Sequence, residues 1–418
     1  MDCAIELSGH KSILFLQGPI TPFFKRMADG LEREGCKCFR INLCFGDWLF
    51  WRGRESVSYR GSKGKWEKFL AEFLDKHAIS DIVLLGEQRF YHQVAIELAS
   101  SRNIQIVTTD FGYVRPDWIT FEKNGMSANS SFPKDPEKIK ALAKQLPPIV
   151  SEQKYKDSFF QQVVWDMQYH ILSTICWPLF PGYRSHQIYH PIVVYFGTGF
   201  RLLKQKLYWR KKAARKIEAL RIGSEPYMIF PLQMENDFQI RAYSKFQNIQ
   251  QAIDQVIASF AQNAPQDMRL VFKVHPLDPG LTNWHRYIKR VGRRQGVSER
   301  LDYIDGGSLD KLIEHSKGIV NINSTVGIWA LRQGKPVCVL GEAIYRVQGL
   351  VSEELDTFWA SPPKPDAELI DAFLRSIVAH LHIRGVYYAQ SGLDNAVSQA
   401  VRRLLDNKVN EFVQFEAA

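Results

Sequence analysis

The chain has 418 residues, 45% hydrophobic and 23% charged, which is too long for one hydrophobic core and too apolar for a disordered chain, so two globular domains are expected. Its formal net charge is +10, which favours anionic partners such as an acidic membrane leaflet or acidic substrates, while the absence of a nucleic-acid-binding motif argues against nucleic acid. Six cysteines (Cys3, Cys36, Cys38, Cys44, Cys176, Cys338) without zinc-site spacing read as reduced core thiols of a cytoplasmic protein; the N-terminus shows no signal-peptide pattern, and no run of about eighteen apolar residues could span a bilayer.

Residues 1–135 read as a first domain. An apolar strand at 12–16 ends in Gln17 and Gly18, and Phe23, Phe24, Met27 and Leu31 recur at helical spacing. Strands at 38–43, 81–85 and 104–108 alternate with helices at 66–73 and 91–99, the pattern of a parallel sheet wound on both sides. Polar or small residues follow the strands: Gln17 and Gly18, Glu87 and Gln88, then Asp110. The loop expected over 109–125 is the richest here. Gly112 and Pro116 shape it, and Asp110 and Glu122 bring two carboxylates to one mouth, as glycosyl chemistry requires. The plainer reading is that Asp110 caps a turn and Glu122 pairs with Arg115. Trp48 and Trp51, in a polar stretch, either stack on a sugar, lie on lipid or close the domain edge.

Residues 136–220 change character. Aromatic residues crowd 159–200, and a basic run follows: Arg201, Lys204, Lys206, Arg210, Lys211, Lys212, Arg215 and Lys216. Rings beside cations suit a membrane-facing segment, and a pair of buried helices with a solvated basic face suits it equally well.

Residues 221–365 repeat the strand-helix alternation as a second domain. The strand at 227–232 exits into Gln233, with Glu235 and Asp237 close behind. The strand of RLVFKVHPL ends with Lys273, His275 and Pro276. A strand at 319–322 runs into Asn323, Ser324, Thr325 and Gly327. Ligands bind at such exits in parallel sheets, and a cation, an imidazole and small hydroxyls suit a phosphate monoester. Residues 366–418 read as closing helices, one of them crossing back to the first domain. Two such domains imply a cleft between them.

The motifs FLQGP (15–19), INLCFGDW (41–48), DFGYVRPDWITFEKNG (110–125), FKVHPLD (272–278), NSTVG (323–327) and GKPV (334–337) resemble, in order, those of the KpsS/LipB capsule polysaccharide proteins. The resemblance implies an α/β fold of GT-B type, two Rossmann-like domains facing each other across a cleft. It implies a retaining β-Kdo glycosyltransferase of Gram-negative bacteria that moves Kdo from CMP-Kdo to a phosphatidylglycerol-type lipid and so starts the linker of capsular polysaccharide. Such an enzyme works in the cytoplasm, peripherally on the inner face of the inner membrane, with a glycerophospholipid acceptor, an anionic membrane surface and other capsule biosynthesis and export proteins as partners. No cofactor or metal is implied, because a nucleotide monoester leaves once its charge is neutralised.

Carried over residue by residue, the resemblance assigns His275, Pro276, Ser324 and Thr325 to the CMP phosphate, with Lys273, Asn323 and Gln233 alongside. Asp110 is the first candidate for nucleophile or base, Glu122 the second, and Glu87 a further acid. Gln17, Gly18 and Arg115 fall on the acceptor side. In relatives two successive acids often precede the glycine, whereas this chain has Asp110 and then Phe111, which leaves the nucleophile open. The alternatives are a non-catalytic capsule assembly or export component that keeps the fold, and a transferase using another CMP-sugar.

Overall fold

A computed structural model of the protein describes residues 11–149, 152–185, 187, 189–204, 209–235 and 237–412. Cys3, Lys206 and the N-terminal segment read above for a signal lie outside them. The described residues form two compact units. One is drawn from Met1–Phe132, Leu146–His186 and Leu374–Ala418, the other from Pro133–Gln145 and Gln187–Phe373. The stretch 136–220 is therefore no body of its own: residues 146–186 belong to the first domain and 187–220 to the second.

The first domain is built on β1 (Ser12–Phe15), β2 (Lys37–Asn42), β3 (Val57–Ser58), β4 (Asp81–Leu85), β5 (Gln105–Phe111) and β6 (Trp118–Lys123). They lie in the order β3-β2-β1-β4-β5-β6, parallel except for the antiparallel β5–β6 pair. The apolar runs of β1 and β4 follow from burial on both faces. Side chains alternate across a strand, so Ile13, Phe15 and Val83 enter one core while Leu14, Leu16, Ile82 and Leu84 enter the other. The second of these is covered by helices Trp66–Lys76 and Phe90–Ser101.

The second domain is a five-stranded parallel sheet of β7 (Tyr227–Pro231), β8 (Arg269–Lys273), β9 (Leu301–Ile304), β10 (Gly318–Asn321) and β11 (Val337–Val339), in the order β11-β10-β7-β8-β9. Counted within each domain, both sheets share the winding 3-2-1-4-5, whose reversal lies beside the first strand. Helix Ile249–Asn263 starts at Asn248, whose side chain caps the Gln251 N–H, and seats Ile253, Val256, Ile257 and Phe260 on Phe230, Phe272 and Val320.

The C-terminal segment completes the first domain. β12 (His382–Arg384) pairs antiparallel with β6, and helix Gln390–Leu405 lays Leu393, Ala396, Ala400 and Leu404 over the core that Phe23–Arg33 covers only in part. The two helices approach closely at Gly30, where a Cβ would stand 2.9 Å from Val401.

One expectation changes and one choice among alternatives is decided. The loop over 109–125 is a β-hairpin: β5 runs through Asp110 to Phe111, and Trp118 to Lys123 return as β6, with Asp110 opposite Thr120 and Thr108 opposite Glu122. Trp51 is buried, packed on Phe15 and beneath Arg40 and Arg54, so it closes the domain edge. Cys36, Cys38, Cys44, Cys176 and Cys338 are free thiols.

Candidate functional site

The sheet reversal of the second domain lies between β7 and β10, and it gathers the residues singled out in sequence. The β7–β8 register pairs Pro231 with Lys273, and the β7–β10 register pairs Ile229 with Ile319. The Leu232 N–H still donates to the Lys273 carbonyl at 2.8 Å, and His275 follows two residues past the end of β8 on that flank, while on the other the β7–β10 offset pairs Gln233 with Asn323. That pairing is realised directly. Gln233 Nε2 donates to Asn323 Oδ1 at 3.0 Å, and the Asn323 N–H returns to Gln233 Oε1 at 3.4 Å. Asn323 Nδ2 donates to the Gln239 carbonyl at 2.8 Å and Gln233 Nε2 also reaches Asp237 Oδ2 at 3.2 Å, so these two amides brace the edge.

The groups suited to a ligand stand around that brace. His275 is half-buried, and its Nδ1 accepts the Leu277 N–H at 3.1 Å. That bond leaves the ring proton on Nε2, a donor. Pro276 is exposed and holds the turn. Ser324 Oγ accepts the Val326 N–H at 3.3 Å, which leaves its O–H to donate elsewhere, and Thr325 is exposed beside it. Gly327 is required by packing, since a Cβ there would sit 2.6 Å from the Tyr345 ring. The Tyr345 hydroxyl donates to Asn321 Oδ1 at 2.9 Å and lies 2.6 Å from the Ser324 carbonyl. Lys273 is buried, its amine donating to the Val274 carbonyl at 3.1 Å. Burial lowers its pKa to about 8, with Asp305 opposing and Arg201 reinforcing.

Arg201 was read in sequence as one cation of a membrane-facing run. Its guanidinium instead forms a fork on Asp305 at 2.7 and 3.0 Å and donates to the carbonyls of His275, Pro276 and Asp278. It therefore sets the path of the histidine loop. Asp278 closes that loop by accepting the Gly280 N–H and the Trp284 indole at 2.8 and 3.1 Å. Lys216, from the same run, pairs with Asp302 at 2.6 Å.

The first domain carries the acids in two settings. Glu122 is fully buried, accepting from the Tyr113 hydroxyl at 3.1 Å and from Ser130, and not from Arg115. Burial raises its pKa to about 8, the two hydroxyls pull the other way, and Glu87 adds a further upward push. Burial thus favours its protonated form. Glu87 is buried nearby and accepts from Asn129 Nδ2 at 2.7 Å. Asp110 shares a hairpin face with Glu122, at a diagonal separation of roughly 7–8 Å between backbones. It is only partly buried, and its Oδ1 accepts the Phe111 N–H at 2.7 Å. Arg115 is exposed, its guanidinium 5.1 Å from the Phe111 ring centre, with Asp110 and Asp157 as charge neighbours. Phe111 is a platform for that cation.

Gln17 is buried and Gly18 is closely packed. Gln17 is 1% exposed and its Nε2 sits 3.2 Å from each of Asp47 Oδ2, the Tyr169 hydroxyl and the Tyr183 hydroxyl. Asp47 also pairs with buried Arg40 at 3.3 Å. A Cβ on Gly18 would meet the Phe24 ring at 2.5 Å. The space left beside this cluster is about 10 Å³, room for one water at most, because Tyr169 from helix Phe159–Ile175 fills the exit of β1. Nearby, His92 gives its Nδ1 proton to the Gly86 carbonyl at 2.8 Å, and burial lowers its pKa to about 3. Among the described residues no group of three or more His, Cys, Asp or Glu gathers as a metal site, and no helix is long and apolar enough to cross a membrane.

Residues 80–388 match the model of a family described as "Capsule polysaccharide biosynthesis protein". The chain belongs to that family. It is 32% identical over 391 residues to the capsule polysaccharide export protein KpsS of Escherichia coli, covering 92% of this chain and 98% of that one. It is 30% identical over 396 residues to the capsule polysaccharide modification protein LipB of Neisseria meningitidis serogroup A, covering 92% and 93%. Among solved structures, Thermosulfurimonas dismutans KpsC, a β-Kdo 2,7 transferase, aligns over 94% of this chain and 99% of its own at 13% identity and a TM-score of 0.44. Family membership brings capsule polysaccharide biosynthesis to this chain.

Proposed function

We propose that this capsule biosynthesis protein is a glycosyltransferase of GT-B type that moves Kdo from CMP-Kdo to a hydroxyl of a phosphatidylglycerol-type lipid, at the cytoplasmic membrane face and alongside other capsule biosynthesis and export proteins. The observation that supports it most is the edge of the second sheet, where Gln233 is hydrogen-bonded to Asn323, Ser324 and Thr325 adjoin it, and His275 follows the end of neighbouring β8. The His275 Nε2–H and the two hydroxyls are donors matched to a phosphate monoester, and Lys273 adds positive charge close behind the histidine. Stabilising the departing CMP by fixed donors is the largest contribution such a site can make. A monoester neutralised in this way needs no divalent cation.

Of the three acids, Asp110 is the carboxylate suited to attack. It is the one not sealed by packing, and Arg115 beside it favours the ionised form. Glu122, whose burial favours the protonated form, is a poor nucleophile and serves as a hydrogen-bonded support, with Glu87 next to it. In a double displacement Asp110 bonds to the anomeric carbon as the bond to the CMP phosphate oxygen breaks. The acceptor hydroxyl then displaces Asp110 and loses its proton, so CMP-Kdo and acceptor give Kdo-acceptor, CMP and H⁺.

The test is release of CMP from CMP-Kdo with a dispersed phosphatidylglycerol acceptor. The wild type turns over; Asp110→Asn keeps CMP binding and loses turnover, and His275→Ala weakens CMP binding. Binding of CMP without turnover by the wild type on any CMP-sugar would favour the non-catalytic assembly component instead.

A further inference from the structure

Helix Pro191–Lys204 of the second domain turns two unlike faces outward and inward. At 100° per residue, Ile192, Phe196, Phe200 and Leu203 fall in one stripe about 80° wide, with Val193 at its margin. These side chains are exposed by 40, 77, 61, 54 and 47% respectively. Isolated exposed apolar residues are ordinary, but five on one helical face are not. Fraying does not explain the exposure, because the inner side is pinned. A Cβ on Gly197 would lie 2.5 Å from the Pro279 carbonyl oxygen, and Arg201 grips the histidine loop and Asp305 as described above.

Charge identifies what covers the stripe. From Pro191 to Ile217 the sequence has eight lysines and arginines and no acidic residue. Lys204 places its ammonium 4.3 Å from the Phe200 ring centre, and Lys204, Arg210, Lys211, Lys212 and Arg215 are exposed. Rings that reach the acyl boundary beside cations at phosphate level match an anionic bilayer surface. The fourteen residues extend about 21 Å, short of the roughly 30 Å of a hydrocarbon core, so the helix lies in the interface plane.

We propose that helix Pro191–Lys204 docks on an anionic phospholipid surface through Ile192, Val193, Phe196, Phe200 and Leu203, and that Arg201, on its inner side, ties this docking element to the loop bearing His275. Docking involves no sugar, so it stands or falls apart from the transferase reading.

The experiment is flotation of the full chain with vesicles of phosphatidylcholine alone or of equal parts phosphatidylcholine and phosphatidylglycerol, without nucleotide sugar. The wild type floats with the anionic vesicles, and added salt weakens the association. The double variant Phe196→Ser/Phe200→Ser loses more than about tenfold in vesicle partitioning while its circular dichroism and melting curve stay those of the wild type. A wild type that stays down with anionic vesicles, or a double variant that floats equally well, overturns the proposal. So does a wild-type dimer that the double variant converts to monomer without change in flotation, which would give the stripe to a second copy of the chain. Release of CMP from CMP-Kdo in the presence of a detergent-dispersed acceptor, measured in parallel, separates failure of docking from failure of the transferase reading.

Discussion

Glu122→Gln separates a buried protonated carboxyl from an ionised one. Glu122 is wholly buried between Tyr113 and Ser130, and burial lifts its pKa from 4.5 to about 8. A folded-state pKa above the unfolded one means the folded chain holds the proton more tightly. The stabilisation is complete below the unfolded value and is lost as pH rises through the folded value. Integrated between pH of about 5 and 9, the wild type loses about 4 kcal/mol from this group. Glutamine has the shape of the protonated acid and does not titrate, so the variant escapes the loss. Other groups titrate in both proteins and cancel in the difference. Melting curves of the two proteins over that range should therefore diverge, the variant gaining on the wild type by roughly 8–16 °C between the acidic and alkaline ends for a domain of this size. A constant gap across the range would show that Glu122 is ionised in the fold, and would remove the argument that sets it aside as nucleophile.

Other substitutions probe the second domain. Arg201→Ala leaves Asp305 without its fork and the His275 loop without three donors; calorimetry should show about 3 kcal/mol of lost stability and weaker CMP binding, and unchanged CMP affinity would deny Arg201 its positioning role. Gly327→Ala drives a methyl into the Tyr345 ring, costing about 1–3 kcal/mol by thermal melting, whereas Gly334→Ala, with open space around it but a φ of 66°, costs about 1 kcal/mol through backbone strain alone. Chelation of divalent cations should leave the rate of CMP release unchanged; a rate restored only by added magnesium would contradict neutralisation by His275, Ser324 and Thr325.

The sheets were legible because strands buried on both faces have to be apolar throughout: SILF, DIVLL and YMIFP announce themselves. Strand exits could then be named in advance, and His275, Gln233 and Asn323 share one edge for that reason. Gly112 and Pro116 suit a loop and so hide the β5–β6 hairpin, although the alternation in WITFEK carries a strand signal. The role of Gln17 was beyond reach, since its partners Tyr169 and Tyr183 stand 152 and 166 residues away. Arg201 looked like one basic residue among eight. Only contacts some 75 to 104 residues distant, to Pro276 and Asp305, separate it from neighbours such as Lys204 that stay exposed. The +10 charge pointed to an anionic partner and could not say which face would meet it.

The measurement that bears most directly on the central claim is a crystal structure of the full chain with CMP. The account predicts the phosphate within hydrogen-bond distance of His275 Nε2 and of the Ser324 or Thr325 hydroxyl, at the edge between β7, β8 and β10. A CMP phosphate bound anywhere else on the chain, with that edge left vacant at saturating nucleotide, would contradict it.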